Sequence, residues 1–216
     1  MSVKNCVVVD YGLGNVFSVM QALSDFPVQV TLSADPAKIR AADQVILPGV
    51  GAFGRAADRL RSLHLDDPIL NFIATGRPFL GICVGMQLLF DQGLEFGVHS
   101  GLGLIRGQVE KISIADEVGH PMRVPLIGWH PLAPPDEDPA RWTGTPFAEI
   151  ADDSAFYFVH SYSARNVEDG AILANTRHHG HDVVAAVRKG NITGVQFHPE
   201  RSGQRGRDFL SAFLNS

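Results

Sequence analysis

Short apolar runs, each closed by Gly, Pro or Asp and separated by stretches of helical pattern, constrain the first half of this chain more than anything else in it. Cys6-Val-Val-Val-Asp10 is too short for a helix and apolar on both sides, as a strand buried on both faces is. Residues 28–32, Gln44-Val-Ile-Leu47 and Pro78-Phe-Leu-Gly-Ile82 repeat the pattern. Between them the sequence predicts a helix over 16–24 and a short one opened by Asp35-Pro36, the acid capping and the proline in the first turn. A third helix runs to about residue 63, and a fourth is opened by Asp67-Pro68 and closed by Gly76. Strands that alternate with helices predict an α/β fold with a largely parallel sheet covered by helices on both faces.

After Leu102 the pattern changes. Shorter β-like runs at 108–114, 125–129, 155–162, 171–174, 183–188 and 194–198 predict a mixed or antiparallel second half. A last helix follows over about 204–214, with Phe209, Leu210, Phe213 and Leu214 on one face. Residues 131–146, rich in proline and acids, read as a surface loop rather than a linker, so residues 1–216 are expected to form a single domain. At 216 residues, 45% apolar and 19% charged, the chain is long and apolar enough for one proper core. A net charge of −5 without basic runs argues against nucleic acid as a partner. Two cysteines are too few for a disulfide scaffold. The start has neither the length nor the apolarity of a signal peptide or a membrane span, so a soluble cytoplasmic protein is expected.

Gly81-Ile-Cys83-Val-Gly85 falls where a strand meets a helix. This is a nucleophile-elbow pattern with cysteine at its apex. Glycines two residues either side permit the close approach a sharp strand-to-helix turn demands. The side chain then projects above the sheet edge. A helix starting at Val84 aims its N-terminus at the sulfur, and the Val84 N–H is placed to hold an oxyanion. A small buried thiol is the plainer alternative. Cys6, inside an apolar run without flanking glycines, is expected to be inert core.

A cysteine nucleophile needs a histidine and a group to orient it. Of nine histidines, His198 stands out, in Gly194-Val-Gln-Phe-His198-Pro-Glu200. The alternation reads as a strand end stopped by Pro199. His198 and Glu200, two apart, then share a side, so the carboxylate can fix the imidazole tautomer. A strand-end histidine beside a solvated acid is the alternative. His178-His179-Gly180-His181 reads as a polar turn rather than a metal site. Gly12-Leu-Gly-Asn15 reads as a tight turn rather than a dinucleotide fingerprint, because Phe17 stands where the third glycine belongs. Neither a metal nor a cofactor is expected.

With those motifs in place the chain resembles the class I (triad) glutamine amidotransferases, which have a flavodoxin-like fold. Among them it looks most like the branch that forms the glutaminase subunit of imidazole glycerol phosphate synthase. The likeness runs through Val9-Asp-Tyr-Gly-Leu-Gly-Asn15, Leu47-Pro-Gly-Val-Gly-Ala-Phe53, the cysteine elbow on to Phe90, Gly101-Leu-Gly-Leu-Ile105, Phe158-Val-His-Ser-Tyr162 and the His-Pro-Glu segment to Ser202. The resemblance implies a triad of Cys83, His198 and Glu200. It implies an oxyanion hole from Val84 and the 48–51 loop, completed by rotation of a peptide near Gly49 and Val50. It places Gly51, Gln87, Glu95, Ser161 and Tyr162 around the glutamine, and Trp129, His130 and Arg201 at the interface with a synthase partner. The chain departs from the family's usual residues at Val84, His130 and Arg201. Residues 91–97 also resemble the paralogues that feed surface-polysaccharide synthesis, which keeps that partner open as an alternative.

The implied reaction is hydrolysis of L-glutamine to glutamate and ammonia through a glutamyl thioester. Ammonia free in neutral water is mostly ammonium and no nucleophile, and the chain has no Gly-Lys-Ser/Thr phosphate loop with which to use it. A heterodimer with a cyclase subunit is therefore expected, with activity low until the partner binds its substrate. A scaffold that kept the fold and a cysteine hydrolase acting on peptides are the alternatives from other classes.

Overall fold

The computed structural model describes residues 3–112, 124–150 and 154–216. Its first half follows the alternation: β1 (Asn5–Val9), α1 (Val16–Leu23), β2 (Gln29–Ser33), α2 (Pro36–Ala41), β3 (Gln44–Leu47), α3 (Phe53–Ser62), α4 (Asp66–Ile73), β4 (Phe79–Ile82) and α5 (Val84–Gln87). Asp35 caps α2 as predicted, its carboxylate accepting from Ala37 N–H at 2.8 Å. Helix α4 differs slightly. It starts at Asp66 with Leu65 in the cap position, so both acids lie in the first turn, where exposed N–H groups favour negative charge. Helix α5 differs more. It is a single turn, because the chain enters the next strand at Phe90.

The second half holds β5 (Phe90–Gly93), β6 (His99–Ser100), β7 (Ile105–Lys111), β8 (Leu126–Pro131), β9 (Ala155–His160), β10 (Tyr162–Arg165), β11 (Ile172–His178), β12 (His181–Lys189), β13 (Ile192–Val195) and α6 (Gly203–Asn215). The run predicted at 155–162 is two strands. The chain breaks pairing at Ser161 and changes partner, β9 pairing with β8 and β10 with β7. The strand predicted at 108–114 is β7, which starts earlier; residues 113 and 114 lie outside the described residues. The strand predicted over 194–198 ends at Val195, so Gln196 and His198 stand beyond the sheet rather than in it.

The main sheet runs β11-β12-β13-β4-β3-β1-β2. Strands β2, β1, β3, β4 and β13 are mutually parallel, and β12 and β11 extend the edge antiparallel. Because β1 is flanked by β2 on one side and β3 on the other, successive right-handed crossovers place helices on opposite faces. Helix α2 packs against α4, while α1 and α6 both pack on the turn Pro199–Arg201. A smaller sheet, β10-β7-β5-β6, and the β8–β9 ribbon stand beside the main one. One hydrophobic cluster extends from Cys6 to Leu214. The proline-rich stretch 131–146 lies largely on the surface, as expected, and is pinned to this cluster at Trp142 and by the adjoining Phe147. Trp142 is buried and donates from Nε1 to Leu173 O at 2.8 Å, and Phe147 packs on Phe197 and Phe209. Among the described residues no helix is long and apolar enough to cross a membrane.

This topology gathers four loops at one edge. The turns after β1, β3, β4 and β13 all leave the carboxyl ends of neighbouring parallel strands, the usual place for a site in an open α/β sheet.

Candidate functional site

The backbone of Cys83 has φ 54° and ψ −111°, a conformation that costs a non-glycine residue on the order of 1–3 kcal/mol. Its neighbours hold it there. Cys83 N–H donates to Val195 O at 2.7 Å, locking the turn to β13. A β-carbon on Gly85 would lie 1.9 Å from Leu47 O, and one on Gly81 would lie 2.6 Å from Gly85 O. The two glycines are thus what lets the elbow close against β3. The sequence reading of a helix dipole aimed at the sulfur needs correction, since one turn of helix sums few peptide dipoles. Cys6 is fully buried inside β1, and that burial pushes its thiol up to about 12.

His198 follows β13 and is held from two sides. Its N–H donates to Tyr157 O at 2.9 Å, and its carbonyl accepts from Ser202 Oγ at 2.7 Å. Its Nδ1 meets Glu200 Oε1 at 2.8 Å, with the imidazole and carboxylate side chains only 6% and 1% exposed. Burial alone would lower the imidazole's titration. Hydrogen bonds to Cys83 and Glu200, with the charges of both, outweigh it and raise His198 to about 10. Both neighbours thus favour the charged form of the His198 imidazole.

Gln196 belongs to the same cluster and escaped the sequence reading. Fully buried, it donates from Nε2 to Cys83 Sγ at 3.7 Å, and its Oε1 accepts from Gln87 Nε2 at 3.1 Å. Gln87 Nε2 also donates to Tyr162 O at 3.2 Å, which fixes which end of each amide faces which. The only local signal was its place two residues before His198, and its contacts are to residues far away in sequence.

A cleft of about 760 Å³ opens over the sulfur, within the usual range for small-ligand sites. Val50, Gly51, Val84, Gln87, Glu95, Ser161, Tyr162 and His198 line it with Cys83. Gln87 is buried with its amide nitrogen engaged as described. Glu95 Oε2 accepts from Phe53 N–H at 2.8 Å. Ser161 O accepts from Ile112 N–H at 2.8 Å, and Tyr162 O also meets His160 Nδ1 at 2.8 Å. The Val84 N–H, the expected oxyanion donor, is occupied by Gly49 O at 3.4 Å. In this state the donor points at protein and not at the cleft.

On the β8–β9 ribbon, Ile127 pairs with Val159 and Trp129 with Tyr157 across the strands. Ile127, Trp129 and Val159 are exposed, and the Arg201 guanidinium lies 4.4 Å from the centre of the Tyr157 ring. Trp129 and Arg201 thus share one apolar outer face. His130 does not join them. Strand alternation turns it to the other side, half-buried against Phe158 and His178, where burial lowers its titration. The segment at 178–181 is the tight turn of the β11–β12 hairpin, with His179 at φ 49° and Gly180 at φ 81°.

The model of the family "Glutamine amidotransferase class-I" matches residues 7–215. The imidazole glycerol phosphate synthase subunit HisH 1 of Legionella pneumophila (strain Lens) is 40% identical, over 96% of this chain and 97% of its own length. The subunit HisH of Bacillus subtilis (strain 168) is 41% identical, over 95% of this chain and 93% of its own. Among solved structures, PurLQS from Thermotoga maritima superposes with a TM-score of 0.72 over 99% of each chain. At 20% identity it bears on the fold alone.

Proposed function

The chain belongs to the class I glutamine amidotransferase family, and we propose that it is the glutaminase subunit of an imidazole glycerol phosphate synthase, releasing ammonia from glutamine for a cyclase partner in histidine biosynthesis. The observation that carries this reading is the strained elbow holding Cys83 beside a buried His198–Glu200 pair, at the floor of a cleft of small-ligand size. Full-length relatives named for that synthase support the pathway.

Cys83 Sγ attacks the carboxamide carbon of glutamine, and the carbonyl electron pair moves onto oxygen. The His198 imidazolium gives its proton to the amide nitrogen, the C–N bond breaks and ammonia leaves a glutamyl thioester. Water then adds to the thioester carbonyl, with His198 taking its proton. The C–S bond breaks and glutamate departs. Glu200 holds the imidazole tautomer through Nδ1. The Gln196 amide steadies the sulfur between turnovers. Val84 N–H and the N–H of Val50 form the oxyanion hole once the Gly49 carbonyl turns away from Val84. Gly51, Gln87, Glu95, Ser161 and Tyr162 surround the amino-acid end of the substrate.

The outer face of the β8–β9 ribbon is the docking surface for the cyclase, centred on Trp129 and Arg201. The ribbon also reaches the site. Tyr157 presents its ring to that face while its backbone carbonyl holds His198 N–H. The product dictates a sealed transfer, because water protonates free ammonia. The chain acts as a single amidotransferase domain in the cytoplasm.

Glutamate release from glutamine tests the reading. It is measured for the purified chain alone, then with the cyclase subunit and its ribotide substrate, beside Cys83→Ala. Strong stimulation that vanishes in Cys83→Ala is expected. Turnover indifferent to that cyclase moves the chain to another amidotransferase pathway, and absence of turnover from a folded, partnered chain removes the glutaminase reading.

A further inference from the structure

Tyr11, two residues past β1, is fully buried, and among the described residues its hydroxyl has no hydrogen-bond partner. An unpaired buried hydroxyl costs free energy, and a buried tyrosine ordinarily finds a partner. Its surroundings show what it waits for. A β-carbon built on Gly49 would lie 2.7 Å from Tyr11 Oη and 2.8 Å from Gly85 N. The hydroxyl therefore occupies the space a side chain at position 49 would need, directly beside the Gly49 peptide. Arg59 Nε donates to Tyr11 O at 3.1 Å and fixes the tyrosine backbone in that position.

The Gly49 carbonyl is the other half of the arrangement. It accepts from Val84 N–H over 3.4 Å, a long bond, and while it does so the elbow's own donor is closed to substrate. Freeing Val84 means turning this carbonyl, and a buried carbonyl turned away without a new partner is costly. Glycine at 49 absorbs the change in ψ without a β-carbon sweeping through its neighbours.

We propose that Tyr11 is a positioning residue for the oxyanion hole: its hydroxyl donates to the Gly49 carbonyl when that carbonyl leaves Val84 N–H, and so holds the 49–50 peptide in its turned state. This rests on the glutaminase reading. The resting state keeps one orphan hydroxyl and one weak bond. The turned state pairs the hydroxyl with the carbonyl and leaves Val84 N–H aimed into the cleft. A hydroxyl hydrogen rotates freely about its C–O bond, so the tyrosine ring need not move. Burial and the nearby Cys83 charge hold the phenol protonated, which keeps it a donor.

Tyr11→Phe separates this role from a structural one. The assay is stimulated glutamine turnover in the complex with the cyclase, beside thermal unfolding of the chain and the rate of Cys83 alkylation by iodoacetamide, which needs no oxyanion hole. The variant is expected to unfold no earlier than the wild type, because no resting hydrogen bond is lost, and to alkylate at the wild-type rate. Its kcat is expected to fall about tenfold with KM for glutamine within about twofold. A wild-type kcat overturns the proposal, and so does a clear loss of stability, which shows the hydroxyl already paired at rest. A structure of the wild-type complex halted as the glutamyl thioester gives a second reading. Tyr11 Oη within about 3 Å of Gly49 O supports the proposal, and a Gly49 carbonyl turned elsewhere overturns it. Failure of the glutaminase reading is distinct, since the wild-type complex then shows no turnover to lose.

Discussion

Cys6 lies within β1 and Cys83 just past β4, two strands away in the main sheet, and both are buried. Cys6 sits within β1, pairing with Val30 on one side and Gln44 on the other, and burial drives its thiol up to about 12. Cys83 stands one residue past β4, at a positive φ, with Gln196 donating to its sulfur and His198 lining the same cleft. Burial is nearly equal, so burial does not separate the inert thiol from the candidate nucleophile. The end of a strand does. There the backbone is free to turn, and groups from neighbouring strands converge on the side chain.

Breaking this contrast has its largest effect at the nucleophile. Cys83→Ala is expected to lower stimulated glutamine turnover by about three orders of magnitude or more. Cys6→Ala should leave turnover intact and cost about 1 kcal/mol of stability, read from denaturant unfolding. Iodoacetamide should label Cys83 in the native protein and Cys6 only after unfolding, which mass spectrometry distinguishes. Equal native labelling of both would erase the contrast.

Next in size is the elbow itself. Gly85→Ala places a β-carbon 1.9 Å from Leu47 O, against backbone that has no rotamer with which to yield. A loss of about 3 kcal/mol or more is expected in chemical denaturation, together with loss of turnover. Gln196→Leu should act more mildly, reducing kcat about tenfold and leaving the fold intact by circular dichroism. A variant with full turnover would make Gln196 a packing residue.

The smallest effect sharpens the electrostatic side. His198 titrates near 10, above the 6.5 of an ordinary imidazole. Its contribution to stability is thus fully present below 6.5 and is lost as pH rises through 10. Cys83→Ala removes part of what raises it, so the His198 ring signals followed by NMR should titrate at a lower pH than in the wild type. An unchanged titration would assign the whole rise to Glu200.

The antiparallel half was the harder to read, for a physical reason. β1, β3 and β4 are buried on both faces, so continuous apolar runs announce them, while β2, at the sheet edge, is only partly covered. In the second half, residues 155–162 are one uninterrupted β-like pattern, yet Ser161 divides them between two sheets, because pairing partners are chosen by distant residues. The same is true of Gln196, whose role depends on Gln87 and Cys83, both far away in sequence. His130 lies opposite Trp129 because adjacent strand residues alternate, and packing against Phe158 and His178 covers its side.

The sequence by itself determined the alternating α/β framework, the elbow at Cys83 and the His198–Glu200 pairing, because these rest on neighbours within a few residues: apolar runs that mark strands, glycines that permit a turn, a histidine and an acid two residues apart. Only the tertiary structure decided that Val84 N–H is closed by Gly49, that Tyr11 waits unpaired beside it, and that Gln196 faces the sulfur. Those are contacts between loops from four separate strands, and which atoms meet there is fixed by sheet order and register, which no local pattern encodes.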